Sequence, residues 1–375
     1  MDIIYTDFAK AFDRVCHTIL LKKLSLFGCS DSLLKFFSSY LQNRQMFVAF
    51  GGSVSHVFVP TSGVPQGSNL GPLLFLIFIN DITDYIEYSD CLLYADDAKI
   101  YKSITSFADC EMLQHDLDGI FKWCEENKLH LNANKCKIMS YNRKNSVFQY
   151  DYMIDNILLK RCDSVTDLGV QFDSKLYFTE HVVKVVNEAY RMLGMIIRFS
   201  RDFNATNVMF TLFYTFVRSK LEYASIVWSP WYQIHIRNIE KLQSKFLRFV
   251  FYKLFHTYPT FMPYRDLLTL FNVTSLEGRR NFSAIMFCFK LFHNIINDYF
   301  LVSQFQIKIP HSATRLTHEI FAYSRINSRQ HENSPLIRMA ILINFIAAKY
   351  PTIDFFNDTF SNFRAVISKY YASNN

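Results

Sequence analysis

Three aspartates stand where short apolar segments end. Asp7 follows the strand-like segment DIIYT, and Asp96 and Asp97 interrupt the apolar stretch LLYADDAKIY. Phosphoryl or nucleotidyl transfer uses two divalent ions roughly 3.5–4 Å apart, and Mg²⁺ prefers carboxylate oxygens. If the two segments form adjacent strands, the three carboxylates can share such ions. The alternative is that Asp7 caps a helix beginning near Lys10 and that the other two form a β-hairpin turn.

Length and composition favour an ordinary folded protein. The chain has 375 residues, half of them hydrophobic, which is enough for two or three domains. Its eight cysteines form no C-x-x-C pair, which argues against a zinc knuckle and fits reduced thiols inside a cell. The sequence has no signal peptide and no apolar run of about 20 residues. We therefore expect an intracellular protein of the cytoplasm or nucleus without a membrane partner.

Charge is distributed unevenly along the chain. Residues 1–150 carry 14 Lys and Arg against 16 Asp and Glu, a net charge of −2, whereas residues 151–375 carry 26 against 17, a net charge of +9. An acidic part that holds metal ions beside a cationic part suits an enzyme that acts on a polyanion. A lysine-rich solvated surface is the simpler explanation.

Apolar spacing predicts alternating strands and helices in the first half of the chain. We expect helices over residues 10–27, 32–41 and 108–124, and a further buried helix whose first turn contains Pro72. A hairpin over residues 45–59 should turn at Gly51 and Gly52. A second hairpin should turn at Asp96 and Asp97, and residues 129–141 should form one strand. From about residue 182 the pattern is helical, over 182–199, 205–219, 234–251, 278–296 and 335–348, so we expect a boundary near residue 180.

Four motifs in this order carry a resemblance to a known family. YTDFAKAFDRV, GVPQGSNLGPLLFLIFINDI, YADD and LNANKCKI resemble the palm of reverse transcriptases of non-LTR retrotransposons, most closely the Jockey-like group. The resemblance covers residues 2–180. It implies an α+β fold, in which a polymerase palm (an antiparallel sheet with helices on one face) is followed by a mainly helical thumb and C-terminal region.

The resemblance implies a set of metal ligands. Asp7, Asp96 and Asp97 match the family's catalytic carboxylates, and the backbone carbonyl of Phe8 is expected to help coordinate metal. The implied cofactor is a pair of Mg²⁺ ions, which Mn²⁺ can replace. The implied partners are an RNA template, a DNA primer and deoxynucleoside triphosphates.

Two further positions match nucleotide-contacting residues of the family. Phe12 matches the aromatic residue that lies under the incoming sugar and would clash with a 2′-hydroxyl group; the alternative is a core residue on its helix. The segment Pro65-Gln66-Gly67 matches the loop that contacts the nucleotide and the template base. Without the resemblance this segment is a Gly/Pro loop before a helix.

Other matches concern the leaving group and the primer. Lys135 matches the lysine near the pyrophosphate, where a cation offsets developing charge; an exposed strand lysine is the equal alternative. Leu168 and Gly169, in TDLGVQFD, resemble the hairpin that grips the primer end.

One basic helix can be identified from residue spacing alone, without the family resemblance. In IHIRNIEKLQSKFLRFVF, one stripe contains Arg237, Lys241, Lys245 and Arg248, and a second, apolar stripe contains Ile236, Ile239, Leu242, Phe246 and Phe249. The basic stripe is a candidate track for the phosphates of a template–primer duplex. A solvated helix face is the alternative.

The resulting prediction is an RNA-directed DNA polymerase with a palm over 1–145, a primer-grip-like hairpin over 146–180, a helical thumb-like region over 181–300 and a helical C-terminal region over 301–375. Only six residues precede Asp7, where the family has a fingers region with basic residues. We therefore expect a fragment truncated before the fingers, with weak or no autonomous activity. The alternatives are an inactive nucleic-acid-binding remnant of such an element and, ranked lower, a viral RNA-dependent RNA polymerase.

Overall fold

Five strands form the central sheet of the first half of the chain in the computed structural model, which describes residues 1–142, 148–308, 319–351 and 353–373. The sheet belongs to the first of two compact units, formed by Met1–Val165 with Asp173–Leu176. Strands of this unit, in chain order, are β1 (Asp2–Tyr5), β2 (Ala49–Phe50), β3 (Ser53–Val54), β4 (Asp90–Tyr94), β5 (Asp97–Lys102), β6 (Lys137–Ser140), β7 (Met153–Ile154), β8 (Ile157–Leu158) and β9 (Lys160–Arg161). The sheet order is β4-β5-β1-β6-β9, antiparallel except for the parallel pair of β6 and β9.

The helices of the first unit cover one face of this sheet. They are α1 (His17–Leu26), α2 (Asp31–Leu41), α3 (Leu70–Ile79) and α4 (Phe107–Asn127), with 3-10 segments at Ala11–Asp13 and Asn80–Tyr85. The neighbouring strand residues Ile4, Ile100 and Ile138 are almost fully buried, in the core that also contains Leu113 and Leu117 of α4. Alternate residues of β1 are only partly buried. The unit thus has the α+β architecture expected, with a mostly antiparallel sheet.

The hairpin and most helices agree with the sequence-based prediction. Phe50 pairs with Ser53 across the Gly51-Gly52 turn, α2 and α4 lie within three residues of the expected ranges, and Pro72 lies in the first turn of α3, as expected. The expected boundary at residues 145–146 and part of the expected C-terminal region, residues 309–318, lie outside the described residues.

The helix predicted over residues 10–27 is wrong in its first half. Residues 11–13 form a 3-10 turn and α1 begins only at His17. The carbonyls of Phe12 and Val15 accept the N–H groups of Val64 and Gly63 at 2.9 and 2.8 Å. Because these carbonyls bond to a distant loop, they cannot close helical turns.

The strand predicted over residues 129–141 is also wrong in its first half. Residues 133–135 form a turn, in which the N–H of Lys135 donates to the carbonyl of Asn132 at 2.8 Å, and β6 begins only at Lys137. The Asn-Ala-Asn sequence contains turn-forming residues, so the signal was present in the sequence. Lys135 therefore lies in a turn rather than on a strand.

The second unit, Thr166–Phe172 with Tyr177–Asn375, is mainly helical. A hairpin of β10 (Ser164–Asp167) and β11 (Val170–Asp173) turns within this unit, and the helices that follow are α5 (Thr179–Phe199), α6 (Thr206–Phe213), α7 (Ser219–Glu222), α8 (Ser225–Trp228), α9 (Gln233–Phe255), α10 (Tyr264–Leu270) and α11 (Leu276–Phe292). A π-helical segment, Tyr214–Arg218, joins α6 to α7. Next come α12 (Tyr299–Ser303), β12 (Gln306–Ile307), β13 (Phe321–Ala322), α13 (Arg329–Glu332), α14 (Pro335–Lys349) and α15 (Phe360–Ser373).

Two apolar cores stabilise the second unit. One contains buried residues between Val170 and Leu276, and the other contains residues between Ala284 and Ile367. Arg338 connects α14 to α8 because its guanidinium donates to the carbonyl of Ile226 at 2.5 Å. Among the helices of the described ranges, none combines the length and the apolar character needed to cross a bilayer.

Asp116 stabilises the segment that leads into β4. Its side chain is fully buried, and its carboxylate accepts the N–H groups of Glu87 and Tyr88 at 2.9 and 3.0 Å. We expect Asp116→Ala to lower the free energy of unfolding by about 3 kcal/mol, because two N–H groups lose a charged acceptor. Asp118→Ala, on the exposed face of the same helix, should cost about 0.5 kcal/mol or less. Urea unfolding measures both, and equal losses would contradict this role for Asp116.

His181 makes the stability of the second unit depend on pH. Its Nδ1 accepts the N–H of Gln171 at 3.2 Å, and burial lowers the pKa of His181 to about 4. The unfolded chain therefore binds a proton between pH 6.5 and pH 4 that the folded chain does not, so stability falls as the pH falls. Urea unfolding at pH 7 and pH 5 measures how much the free energy of unfolding falls between these two pH values. We expect this fall to be about 2 kcal/mol smaller in His181→Asn than in the unsubstituted chain. His256→Asn, at an exposed histidine, should retain it; an unchanged pH dependence in His181→Asn would refute the assignment.

Candidate active site

The register of β1 places Asp7 beside the start of β5. Ile4 pairs with Ile100 and Tyr5 with Lys99, and the N–H and hydroxyl of Thr6 both donate to the carbonyl of Ala98, at 3.0 and 2.8 Å. Continuing this register by one residue puts Asp7 opposite Asp97. Opposed residues of antiparallel strands have Cα atoms about 4.5–5.5 Å apart.

The turn between β4 and β5 contains the second acidic position. Tyr94 pairs with Asp97, so the turn residues are Ala95 and Asp96, and Asp97 is the first residue of β5. The predicted turn at Asp96-Asp97 was therefore one residue too late. Ala95 has a left-handed backbone with φ of +52°, which costs an alanine about 1–2 kcal/mol. Such local strain is typical of functional turns, where the surrounding structure maintains it.

The carbonyl of Phe8 points toward the β5 side of its strand, where the β4–β5 turn lies. Asp7 accepts the N–H of Asn132 at 2.7 Å, so its own carbonyl points toward the segment before β6. Successive carbonyls of an extended chain point to opposite edges, and Phe8 forms an extended bridge with Leu131. Its carbonyl must therefore point toward the β5 side. The Phe8 ring lies in the core against Trp123, with ring centroids 6.4 Å apart.

These oxygen donors suit a hard divalent cation in type. Carboxylates and one carbonyl are the ligands that Mg²⁺ accepts, with its other positions left for water and phosphate oxygens. Within the described ranges, no three His, Cys, Asp or Glu side chains already converge closely enough to hold a metal ion. The backbone thus brings the acidic positions to adjacent places, and the side chains must rotate inward to share an ion.

Lys135 lies beside Asp7. Its Nζ is 3.7 Å from Oδ2 of Asp7, and both side chains are substantially exposed. An exposed ion pair of this kind contributes less than about 1 kcal/mol, so the lysine remains able to bind another anion. The N–H of Asp7 donates to Sγ of Cys136 at 3.4 Å. Burial raises the pKa of the Cys136 thiol to about 11, so a neutral thiol adjoins the site.

The loop before α3 is attached to the 3-10 turn that follows Asp7. Gln66 donates from Nε2 to Oδ1 of Asp13 at 2.8 Å, and the hydroxyl of Ser62 donates to the carbonyl of Asp13 at 2.8 Å. His17 contacts the carbonyl of Gly63 through Nε2 at 2.8 Å. Sequence reasoning missed Asp13, Ser62 and His17; the only signal was the acidic residue in the motif AFD.

A cavity of about 600 Å³ lies between this loop and the segments that flank the β2–β3 hairpin. Its lining includes Arg44, Met46, Phe58, Pro65 and Gln66. Pro65 and Gly67 lie in the turn that precedes α3. In this turn the hydroxyl of Ser68 donates to the carbonyl of Pro65 at 2.7 Å.

Phe12 packs against the first turns of α3. Its ring stacks on Phe75 with centroids 4.3 Å apart and an interplanar angle of 20°. The side chain is only partly buried. One side of Phe12 therefore contacts the core and the other side is accessible. This arrangement is compatible both with a core residue and with an aromatic residue under the incoming sugar.

The predicted primer-contacting residues form a tight turn in the second unit. Leu168 and Gly169 both have positive φ, +45° and +81°, as a two-residue type I′ hairpin requires. Tyr223 donates its hydroxyl to the carbonyl of Leu168 at 2.8 Å. This turn is therefore held in place by α7 and the residue that follows it.

The basic stripe of α9 is present, but its members differ. Arg237, Lys241 and Lys245 are exposed, and Nζ of Lys245 lies 5.6 Å from the ring centroid of Tyr190. Arg248 is half-buried, and its guanidinium donates to the carbonyls of Pro259 and of Met262, the latter at 2.7 Å. The apolar stripe packs in the core as predicted.

Comparison with known proteins identifies a matching family. The reverse transcriptase (RNA-dependent DNA polymerase) family matches residues 3–197. The RNA-directed DNA polymerase from mobile element jockey of Drosophila melanogaster is 32% identical over 197 residues, which cover 50% of this chain and 21% of that protein. The probable RNA-directed DNA polymerase from transposon X-element of the same species is 26% identical over 261 residues, or 66% of this chain and 28% of that protein.

A jockey polymerase of Drosophila funebris is 28% identical over 255 residues, covering 65% of this chain and 28% of that protein. The chain thus spans between 21% and 28% of the length of these relatives. Among solved structures, a telomerase from Candida albicans in complex with a telomeric RNA fragment matches 75% of this chain and 48% of its own, with 14% identity and a TM-score of 0.33. That likeness is too weak to carry an argument.

The loop that carries Gln66 depends on a glycine at position 63. Gly63 has φ of +88°, and a Cβ there would lie 2.7–2.9 Å from backbone atoms of Asp13. We expect Gly63→Ala to destabilise the chain by about 2–4 kcal/mol, because the backbone of Asp13 must move. Gly67→Ala, with φ of +76° and open space around it, should cost only about 1 kcal/mol of strain. Thermal unfolding compares the two variants, and equal losses would contradict the close approach.

Proposed function

The chain belongs to the reverse transcriptase (RNA-dependent DNA polymerase) family, and we propose that its first unit carries the palm-type nucleotidyl-transfer site of a Jockey-like, non-LTR retrotransposon polymerase. In this function the site adds deoxynucleotides to a primer 3′ end that is paired with an RNA template. The names of the most similar relatives support this reading. Its proposed setting is the interior of the cell, where such templates and deoxynucleotides occur.

A single observation carries the proposal. Residues 2–5 pair with residues 99–102 in a register that leads Asp7 to the position opposite Asp97. Two family motifs whose residues Asp7 and Asp97 are 90 residues apart in sequence are therefore carried by adjacent strands. An unrelated hairpin protein needs no such convergence.

We propose that Asp7, Asp96 and Asp97, with the carbonyl of Phe8, hold two Mg²⁺ ions. Members of this family generally use divalent metal ions. When bound, such ions activate the attacking 3′-hydroxyl and stabilise charge on the leaving oxygen. The contribution of the chain itself is to present these oxygens from adjacent backbone positions, at a strand end and in a strained turn.

Three other parts of the first unit have proposed roles toward the nucleotide. Lys135, whose exposed ammonium group lies beside Asp7, offsets charge on the departing pyrophosphate. Phe12 lies beneath the sugar with its accessible face and excludes a 2′-hydroxyl. The segment Pro65-Gln66-Gly67 contacts the nucleotide and the template base, and Asp13 orients the amide of Gln66 by accepting its N–H.

The second unit is proposed to bind the nucleic acid as a helical thumb. The turn at Leu168-Gly169 contacts the primer end, and the exposed side chains of Arg237, Lys241 and Lys245 contact phosphates. Arg248 is better described as a structural residue of this stripe, since its guanidinium binds two backbone carbonyls.

Replacing one acidic ligand tests the proposal. With Mn²⁺ or Mg²⁺ present, Asp96→Asn should abolish metal-dependent binding of a fluorescent deoxynucleoside triphosphate. It should also reduce primer extension on an RNA template by a factor of about 10³ or more, because one metal ligand is lost. Asp90→Asn, at the exposed far end of the same β4–β5 hairpin, should leave both unchanged.

The outcomes separate the candidate functions. Metal-dependent nucleotide binding that survives Asp96→Asn would contradict the proposed site. Template–primer binding without any metal-dependent nucleotide binding by the unsubstituted chain would favour the nucleic-acid-binding remnant instead.

A further inference from the structure

The loop between α9 and α10 exposes an unusual set of aromatic side chains. In this aromatic loop, residues 256–263, Phe261 is 97% exposed and Tyr258 is 60% exposed. The last turns of α9 add Tyr252 and Phe255, each about half exposed. Burying one such side chain stabilises a protein by about 1.5–3 kcal/mol. Single exposed aromatic residues are ordinary, but four within ten residues form a surface that calls for a physical explanation.

The aromatic loop has a fixed conformation. Arg248 donates to the carbonyls of Pro259 and Met262, which flank the exposed ring of Phe261. Pro259 is buried, and Met262 packs against the core of the second unit. Within the loop, the N–H of Thr260 donates to the carbonyl of Tyr258 at 2.8 Å. The exposure of Phe261 therefore results from how the loop backbone is held, and a ligand would meet a ring on a preorganised backbone.

The surroundings of this loop are cationic. Helix α9 carries five Lys and Arg residues and one acidic residue, Glu240, and residues 256–263 carry no acidic residue. The carboxylate of Glu240 accepts the hydroxyl of Tyr264 at 2.6 Å and the N–H of Glu277 at 2.6 Å. Its carboxylate is therefore bound within the protein, and the five cations of α9 leave the helix with an excess of positive charge.

The basic stripe of α9 is connected to the aromatic loop through Arg248. Arg237, Lys241 and Lys245 follow one face of α9, and the next member of that stripe, Arg248, holds the aromatic loop. The stripe from Arg237 to Arg248 is about 16 Å long. A row of cations that ends in exposed rings matches a flexible chain with regularly spaced negative charges and flat apolar groups.

We propose that the aromatic loop is a stacking platform for unpaired bases of a single-stranded nucleic acid, whose phosphates follow Arg237, Lys241 and Lys245. Phe261 and Tyr258 supply the stacking faces, and Arg248 is a positioning residue that holds the loop. Bases inside a duplex are covered by their neighbours, so a duplex uses only the cations. The inference rests on the nucleic-acid-binding part of the proposed function and does not depend on the acidic site.

The test compares Phe261→Ala with Phe300→Ala, a control at an aromatic residue of α12 that is 69% exposed. Fluorescence anisotropy would measure binding of labelled 20-nucleotide DNA and RNA strands, an abasic strand of equal length, and a duplex, each over a range of salt concentrations. We expect Phe261→Ala to weaken binding of base-containing strands by about tenfold, as loss of one stacked base predicts. Binding of the abasic strand and the duplex should change less than twofold, and Phe300→Ala should leave all four unchanged.

Salt dependence separates the positioning residue from the phosphate contacts. Arg248→Met should weaken strand binding as Phe261→Ala does, with an unchanged slope of log K against log salt concentration. Lys241→Ala should instead reduce that slope by about one and affect strands and duplex alike. The DNA and RNA arms show which kind of strand the platform prefers.

Several outcomes would overturn the inference. These are unchanged strand binding by Phe261→Ala, equal losses on base-containing and abasic strands, or a smaller salt slope for Arg248→Met. A larger effect of Phe261→Ala on binding to vesicles with anionic lipids, or on self-association in sedimentation, would assign the aromatic loop to a membrane or a second copy. If the unsubstituted chain binds neither strand nor duplex, the nucleic-acid-binding part of the proposed function fails as well.

Discussion

The register of β1 between β5 and β6 is the constraint on which the site depends. Side chains alternate between the two faces of a sheet, so a shift of one residue would move Ile4 out of the core and turn Asp7 toward it. Burial of Ile4 with Ile100 opposes that shift, because both side chains are excluded from water in the observed register. The same hydrophobic pairing that stabilises the sheet therefore determines where the acidic residues meet.

Polar contacts at the opposite end of β1 reinforce this register. Asp2 is almost fully buried, and its carboxylate accepts the hydroxyl of Ser140 at 2.6 Å and lies 3.7 Å from the guanidinium of Arg161. A buried carboxylate is costly unless it is paired, so β1 can occupy only positions that keep these partners. The centre of β1 and its Asp2 end are therefore both held in place. Because of this, the other end of β1, which leads to Asp7, is fixed relative to the β4–β5 turn.

Local patterns predicted the elements well and the contacts between them poorly. Helices α5, α9, α11 and α14 fall within four residues of the ranges that apolar spacing indicates, because their buried faces follow the helical period. The start of α1 and the Asp13–Gln66 contact could not be predicted, since both depend on hydrogen bonds between segments about 50 residues apart. Arg248 illustrates the same limit: its spacing matched an exposed basic stripe, whereas its guanidinium binds the loop that presents Phe261.

The proposed site requires that Asp7, Asp96 and Asp97 share divalent ions on one face of this sheet. Crystals grown with Mn²⁺ and a deoxynucleoside triphosphate would test it directly through an anomalous difference map. We expect anomalous peaks within coordination distance of the carboxylates of Asp7 and Asp96, with the carbonyl of Phe8 directed at one of them. Carboxylates of Asp7 and Asp97 on opposite faces of the sheet, or a bound nucleotide whose Mn²⁺ contacts neither Asp7 nor Asp96, would contradict it.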